Sequence, residues 1–447
     1  MNRSMLVLAV AALMAIITGC KKDSPTAVTV SKALYQVGQT ISSDTLAGAV
    51  KGTMKAGKTY YMKTNVIVNA GDTLLMQPGT KLIAIGDGLT VDSSPELTIK
   101  GTFLSLGTKD DQNYITIPDA KKTHDGLWSG SWGGIQADST CPLMVIKWTH
   151  IEGAGGPAGP NAPATYATGD PRYGILFQNP FGSLVLEDSW ISGTKDDGMR
   201  VIGGKIAIFR NTFEDNGQAG GESCNIKSGT VGDVAYNLFI GAATNGPKVS
   251  NSGTSSIQTN INVYNNTIVN CGMRQAKTGR GGSMNIEKGA KGKFFNNIIA
   301  NCRFGLRIVK DTDTLNFAYG NTLYYGSTST IVGQFNATDG VAKTQTSDVR
   351  KDTAKATNPL FTGYDVNKTD MSTWTFPVST ALQPEEMLKQ GTSVFKLSAS
   401  SPAVGKGKSD FAALNPVTGL TGDLTPTILP PGKDIGAYQT DGTGNLH

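Results

Sequence analysis

Four residues in the middle of the chain have the types and spacing needed for proton transfer on an acidic sugar. Asp197 and Glu222 precede two apolar segments at equivalent positions, and Arg200 and Lys227 follow them on one predicted strand face. Two carboxylates about 5 Å apart, the spacing of neighbouring strands, cannot both ionise freely without a cation or a shared proton. We therefore predict Ca²⁺ at this pair, because Ca²⁺ prefers oxygen ligands.

A cation, a lysine and an arginine beside a uronic acid would supply β-elimination. The metal would neutralise the sugar carboxylate and acidify the C5 proton, which Lys227 would remove as a general base. Lys227 and Arg200 are the candidate catalytic residues, and Asp197 and Glu222 are the candidate metal ligands. The sequence leaves open whether the protein is an enzyme; if it is one, it is expected to be a polysaccharide lyase.

The composition restricts the chemistry further. The 447 residues include only three histidines, which leaves almost no material for a zinc site or a Ser-His-Asp triad. Forty basic and 35 acidic residues are well mixed and give a net charge of +5, so we expect no nucleic-acid partner. The 55 glycines disfavour long helices, because each costs roughly 1 kcal/mol in a helix relative to alanine.

An internal repeat must position the four residues. Six tracts each contain an alternating apolar strand, then Asn or Asp, then a short apolar pair; the polar residues are Asp188, Asn211, Asn237, Asn266, Asn297 and Asn321. Strands that recur at the spacing of these polar residues, without helical patterns between them, predict a coil that winds back onto itself. The polar residues should then form a hydrogen-bonded column that supports each sharp bend.

Each coil is predicted to carry a second strand after its long loop. Alternation buries every other side chain of these strands and leaves a polar column on the outer face. The candidate substrate-binding residues of this face are Asn225, Gln258, Asn285, Glu287 and Arg307. Loops at 214–222, 241–254 and 271–282 would wall one side. The face is either a groove for an extended polymer or a solvated outer surface.

Several motifs resemble those of a family of right-handed parallel β-helix, pectate-lyase-like bacterial lipoproteins. They are Gly71-Asp-Thr-Leu-Leu-Met-Gln-Pro-Gly-Thr80, Trp132-Gly-Gly-Ile135, Val145-Ile-Lys-Trp-Thr-His-Ile-Glu-Gly153, Ser401-Pro-Ala-Val-Gly405 and Asp434-Ile-Gly-Ala-Tyr-Gln439. The resemblance covers about residues 41–440. It implies an all-β fold, a right-handed parallel β-helix solenoid with capped ends, and it says little about chemistry.

A local resemblance concerns the candidate site itself. Glu222-Ser-Cys-Asn-Ile-Lys-Ser228 is similar to the Glu-x-x-x-x-Lys-Ser element of the chondroitinase B and alginate lyase family. The acidic ligand that this family has two residues earlier is Gly220 here. Its Arg-His-Gly element is absent from the next coil, which contains Asn245-Gly-Pro-Lys-Val-Ser250. The resemblance implies lyase chemistry at Lys227 without the family's full ligand set.

The N-terminus predicts a lipid anchor. Residues 1–19 have the basic start and short apolar run of a secretory signal peptide. Small residues directly before Cys20 resemble the lipobox of bacterial lipoproteins, in which this cysteine becomes lipidated. No aspartate follows Cys20, which in that class is typical of an outer-membrane destination. Residues 20–35 are the predicted lipidated tether.

The remaining chain divides into two predicted parts. Residues 36–345 should form an N-terminal cap and the β-helix, with residues 36–58 covering its first end. Residues 346–447 lose the repeat and should form a C-terminal cap or irregular segment. Cys271 and Cys302 each lie five residues after a column asparagine, so they should stack on neighbouring coils, either bonded or as a buried thiol pair.

Together these features predict a monomeric outer-membrane lipoprotein whose membrane contact is its lipid anchor. It is expected to bind an extracellular polysaccharide, for which uronate is a candidate sugar, and the sequence leaves open whether the protein also processes it. The alternative is a non-enzymatic structural or adhesion protein of the cell surface.

Overall fold

The computed structural model describes residues 35–123, 126, 128–275, 277, 280–337, 339–367 and 395–447. The signal peptide, Cys20 and almost all of the predicted tether lie outside these residues. The unit from Gln36 to His447 is described below by itself.

In the described residues, twenty-seven strands pair in parallel around a continuous coil. Each coil passes through three columns of strands, here called sheets A, B and C in chain order. Because every coil repeats this order with parallel pairing, the prediction of an all-β, right-handed parallel β-helix is confirmed. The strands alternate core-facing and outward side chains, as the period of two requires.

The strands are numbered in chain order. Sheet A contains β5 (Lys81–Ala84), β8 (Asn113–Thr116), β11 (Thr149–Glu152), β14 (Trp190–Ser192), β16 (Thr212–Glu214), β18 (Leu238–Ile240), β21 (Thr267–Val269), β24 (Ile298–Ala300) and β27 (Leu323–Tyr325). Sheet B contains β6 (Leu97–Ile99), β9 (Ile135–Ala137), β12 (Ile175–Phe177), β19 (Pro247–Ser250), β22 (Asn285–Glu287) and β25 (Arg307–Ile308).

Sheet C contains β2 (Gly52–Met54), β4 (Thr73–Met76), β7 (Thr102–Leu106), β10 (Leu143–Lys147), β13 (Ser183–Glu187), β20 (Asn260–Tyr264), β23 (Lys291–Phe295) and β26 (Phe317–Gly320). Four strands belong to two sheets: β1 (Thr45–Ala49) and β3 (Thr59–Val68) join A to B, and β15 (Met199–Phe209) and β17 (Cys224–Ala235) join B to C.

Helical structure is minor in the described residues. It consists of α1 (Ser329–Gly333) and the 3-10 turns Asp119–Lys121 and Gly422–Leu424. The Thr328 hydroxyl caps α1 by accepting from the Ile331 N–H. None of these helices is both long and apolar enough to cross a membrane.

A buried asparagine column runs along the turns between sheets C and A. The side-chain oxygens of Asn237, Asn266 and Asn297 accept from the backbone N–H of the preceding column residue at 2.9–3.0 Å. This confirms the four central members of the predicted column, Asn211, Asn237, Asn266 and Asn297. Each side chain therefore satisfies polar groups of two coils.

The two ends of the predicted column are wrong by one residue. Ser189 and Thr322 occupy the column positions, because their N–H groups donate to the side-chain oxygens of Asn211 and Asp348. Asp188 and Asn321 precede them with φ of 48° and 47°. Asp and Asn tolerate this left-handed conformation. Each turn therefore has two adjacent positions that favour Asp or Asn, the left-handed position and the column position.

The prediction that Gln258 lies on a strand of the outer face of sheet B is also wrong, because residues 256–258 form no strand. Pro247–Ser250 occupies that place, and Lys248 pairs with Asn225 on one side and Asn285 on the other. Pro247 makes this segment look unlike a strand in the sequence. Proline is nevertheless tolerated as the first residue of a strand, so the strand can form. Gln258 lies in the following turn, where its amide donates to the Gly289 carbonyl at 2.8 Å.

The non-repeating C-terminal region covers the sides of the coil. Phe411, Val417, Leu424 and Ile428 pack on the apolar outer face of sheet C. Another group, namely Val366, Phe395, Ala403, Ile435 and Ala437, packs on the outer face of sheet A. Sheet B differs, because its outer face in the later coils carries charged side chains that line a groove.

Residues 36–44 lie against the first coil, where Val37 exchanges hydrogen bonds with the Thr53 hydroxyl, but β1 and β2 already belong to the coil.

Cys271 and Cys302 are both buried free thiols, the second of the two predicted alternatives. The Cys271 thiol donates to the Phe239 carbonyl at 3.6 Å, and burial raises the pKa of the Cys302 thiol.

Candidate functional site

Sheet B presents one outward residue per coil along the helix axis. In successive coils these are Arg200, Asn225, Lys248, Asn285 and Arg307. Four of them were predicted; Lys248 was not, and Ser250 in the neighbouring column, opposite Glu287, stands where Gln258 was expected. Lys227 and Glu287 lie two residues further along their strands and form a second column with Ser250.

The turns beside this column enclose a polar groove of about 520 Å³, here called the sheet B groove. Its wall includes residues of the 214–222 and 271–282 loops, as expected from their length. Three acidic residues line it, together with five basic residues: Lys248, Lys277, Arg280, Lys288 and Arg307. The groove lining therefore has more basic than acidic groups.

The structure brings the predicted carboxylate pair together. One Asp197 oxygen accepts from the Glu222 N–H at 2.8 Å, and the other accepts from Arg200 at 2.6 and 2.7 Å. The Asn225 amide bridges both carboxylates, at 2.9 Å to Asp197 and 3.0 Å to Glu222. Adjacent coils place these groups side by side because the register of β15 and β17 aligns Arg200 with Asn225.

Two protein cations lie beside the predicted carboxylate pair. Arg200 neutralises Asp197, and the Lys248 ammonium lies 3.3 Å from a Glu222 oxygen. Among the described residues, no group of three or more His, Cys, Asp or Glu side chains could hold a metal ion. The structure places Asp197 and Glu222 in an ion-pair network with Arg200 and Lys248, and the Ca²⁺ site remains a prediction.

The two carboxylates titrate in opposite directions. Burial raises the pKa of Glu222, and the negative charge of Asp197 raises it further. Burial also opposes the ionisation of Asp197, but Arg200 and the hydrogen bonds from Glu222 and Asn225 outweigh it and lower the pKa of Asp197. Asp197 is therefore the stable anion of the pair.

Lys227 is the basic side chain left uncommitted by this network. Within the described part of the chain, its ammonium makes no hydrogen bond or ion pair within bonding distance, and the side chain is half-buried. Burial lowers the pKa of Lys227, and the nearby charges of Lys248 and Arg200 lower it further. Such a group can receive an anionic ligand or act as a base.

Arg200 is poorly placed for proton transfer. Its guanidinium is bound to Asp197 and stacks over the Tyr173 ring at 4.0 Å. Although burial disfavours the charge, the neighbouring Asp197 raises the pKa of Arg200 above its ordinary value. Arg200 can hold a carboxylate or orient a ligand, but it keeps its proton.

Asp196 is a groove residue that the predicted site did not include. It is half-buried and lines the groove beside Glu222. Burial, followed by the charge of Asp197, raises the pKa of Asp196 to about 8. The adjacent Asp196-Asp197 pair was visible in the sequence, but only the fold shows that the first carboxyl lies in the groove.

The protein can be classified by its architecture alone, because comparisons with known proteins found no match. The chain matches no protein-family model, no curated protein and no solved structure. Fold and site together define a right-handed parallel β-helix that has a charged groove on one sheet, while non-repeating segments cover the other two.

Proposed function

We propose that the protein binds an acidic extracellular polysaccharide in the sheet B groove. The observation that carries the proposal is the Lys227 ammonium, which has no hydrogen bond or ion pair among the described residues and lies near two residues of the groove lining, Lys248 and Glu222. The excess of basic residues in the lining and the elevated pKa of Asp196, about 8, make the groove more positive near neutral pH. A positive, elongated groove attracts an extended anionic ligand.

Replacing Lys227 tests this proposal. Lys227→Ala should weaken binding of polygalacturonate or alginate about tenfold or more, since a hydrogen bond to a charged group contributes about 1.5–3 kcal/mol. Lys227→Arg should retain most of the affinity, because it keeps the charge. Titration calorimetry is the measurement, with Lys63→Ala as a control at an exposed lysine outside the groove.

Carboxyl-reduced polymers complete this experiment. They should bind the wild-type protein much more weakly than the acidic polymers and should not distinguish it from Lys227→Ala. Equal affinity of Lys227→Ala and the wild-type protein for the acidic polymers would contradict the proposal.

Cleavage of the same polymer by β-elimination is a second candidate, favoured by the lowered pKa of Lys227. Lys227 would take the C5 proton, the C4–O bond would break, a C4=C5 double bond would form, and water would protonate the leaving oxygen. Ultraviolet absorbance of the unsaturated product is the readout. Product formation by the wild-type protein and its loss in Lys227→Ala would support cleavage; no product would leave binding alone.

We further propose that Cys20 anchors the protein to the outer membrane as a member of the pectate-lyase-like lipoproteins that its motifs resemble. The thiol would carry the lipid, so Cys20→Ser should move the protein from the membrane fraction to the soluble fraction. Cell fractionation with immunoblotting measures this. A variant that stays with the membranes would show that the anchor is not at Cys20.

A further inference from the structure

We infer that the sheet B groove is closed at both ends and binds a short oligosaccharide, or the terminus of a longer chain, of limited length. The inference rests on the proposed function and narrows its ligand class. It follows from what covers sheet B before and after the five open coils.

The loop between residues 153 and 173 closes the N-terminal end. Leu176 occupies the outward position one coil before Arg200, yet it is fully buried against Ala158, Tyr166 and Tyr173. The Tyr166 hydroxyl also donates to the Gln136 side chain at 2.8 Å, two coils before Arg200. The loop therefore lies over sheet B and contacts it through apolar and polar groups.

The edge of this cover adjoins the groove directly. Arg200 stacks on the Tyr173 ring, so the first open coil touches the last covered one. A bridge between Pro157 and Pro171 holds the neck of the loop. A linear ligand that lies on the Arg200 coil meets this loop if it continues toward the N-terminal coils.

Residues 339–341 close the opposite end. The Asp339 carboxylate accepts from the Arg307 guanidinium at 2.8 Å. Val309 forms an antiparallel bridge with Gly340, and the Val341 N–H donates to the Ile308 carbonyl at 2.7 Å. The chain thus crosses the end of sheet B where a further coil would extend the groove.

The open length sets the length of the ligand. The groove lining begins at Asp196 and Glu222, which precede the strands of Arg200 and Asn225, and ends at Arg307. It therefore covers five coils, whose four intervals together span about 19 Å at about 4.8 Å each. A pyranose with its linking oxygen is similar in length to one interval. The groove therefore accommodates about five sugar units.

A length series tests this inference on the full-length chain in detergent. Calorimetry with oligogalacturonates and oligoalginates, from disaccharide to octasaccharide, should show affinity rising to about the pentasaccharide and level beyond it. A variant with residues 158–170 replaced by Gly-Gly should bind the octasaccharide about tenfold more tightly than the wild-type protein, the equivalent of one added hydrogen bond to a charged group. Its disaccharide affinity should be unchanged.

The outcomes separate the inference from the proposed function. Wild-type affinity that keeps rising to the octasaccharide would overturn closed ends, even if the loop variant does not fold. A folded loop variant, verified by circular dichroism, that gives the wild-type plateau would overturn closure by this loop. Absence of binding at every length would instead overturn the proposed function.

Discussion

Replacing Asn266 by leucine should lower the free energy of unfolding by about 2–4 kcal/mol. The Asn266 amide donates to the Val234 and Tyr264 carbonyls at 3.0 and 3.1 Å, and its oxygen accepts from the Asn237 N–H. Leucine removes these bonds and leaves buried backbone groups without partners, at about 1–3 kcal/mol each. Relaxation of the turn should recover part of that loss.

Urea denaturation of the wild-type protein and of Asn266→Leu measures this difference. Asn69→Leu is the matched control, because Asn69 is exposed and lies outside the column. The control should change stability by less than about 0.5 kcal/mol. Equal stability of Asn266→Leu and the wild-type protein would show that the column does not support the coil.

Gly292→Ala should have an effect of similar or larger size, roughly 2–5 kcal/mol. Gly292 has φ of 144°, and an added Cβ would lie 1.8 Å from the Ile261 carbonyl oxygen of the neighbouring coil. Alanine therefore requires both a strained backbone and movement of β20, costs that are each about 1–3 kcal/mol. Thermal unfolding should show a clearly lower midpoint.

Gly289→Ala separates the two causes. Gly289 has φ of 74° and no atom within 4 Å of an added Cβ, so only backbone strain applies. Its expected loss is about 1 kcal/mol. If Gly292→Ala destabilised the protein no more than Gly289→Ala, the close approach of β20 and β23 would be contradicted.

The coil could be predicted because two independent features of the sequence repeat with its period. Alternating apolar residues mark the strands. Asparagines such as Asn237 mark the bends, where their side chains satisfy backbone polar groups. The end positions Asp188 and Asn321 were misplaced because the adjacent left-handed position accepts the same residue types. Gln258 was misplaced because Pro247 conceals the start of a short strand.

The groove was only partly predictable for a different reason. Arg200 and Asn225 follow from the period of two, which needs only local sequence. The partners that neutralise the predicted carboxylates, such as Lys248 for Glu222, come from another coil and carry no local signal. The same holds for Asp339, which binds Arg307 from a segment beyond the repeat.

The C-terminal region shows the same limit. Its loss of repeat was visible, but its position along sheets A and C was not, because irregular segments have no periodic pattern. One feature of the sequence does indicate this position. The outer face of sheet C is apolar, for example at Val185 and Ala207, and must be covered by another segment. Sheet B stays accessible beside these covers, which is why the groove lies there.

The most direct test of an acidic ligand in the sheet B groove is a crystal structure of the protein with a pentauronate. The sugar chain should lie along the Arg200–Arg307 column, with a carboxylate within hydrogen-bond distance of the Lys227 ammonium. Density for the sugar on another face, with the groove of the same crystal free of it, would contradict the account.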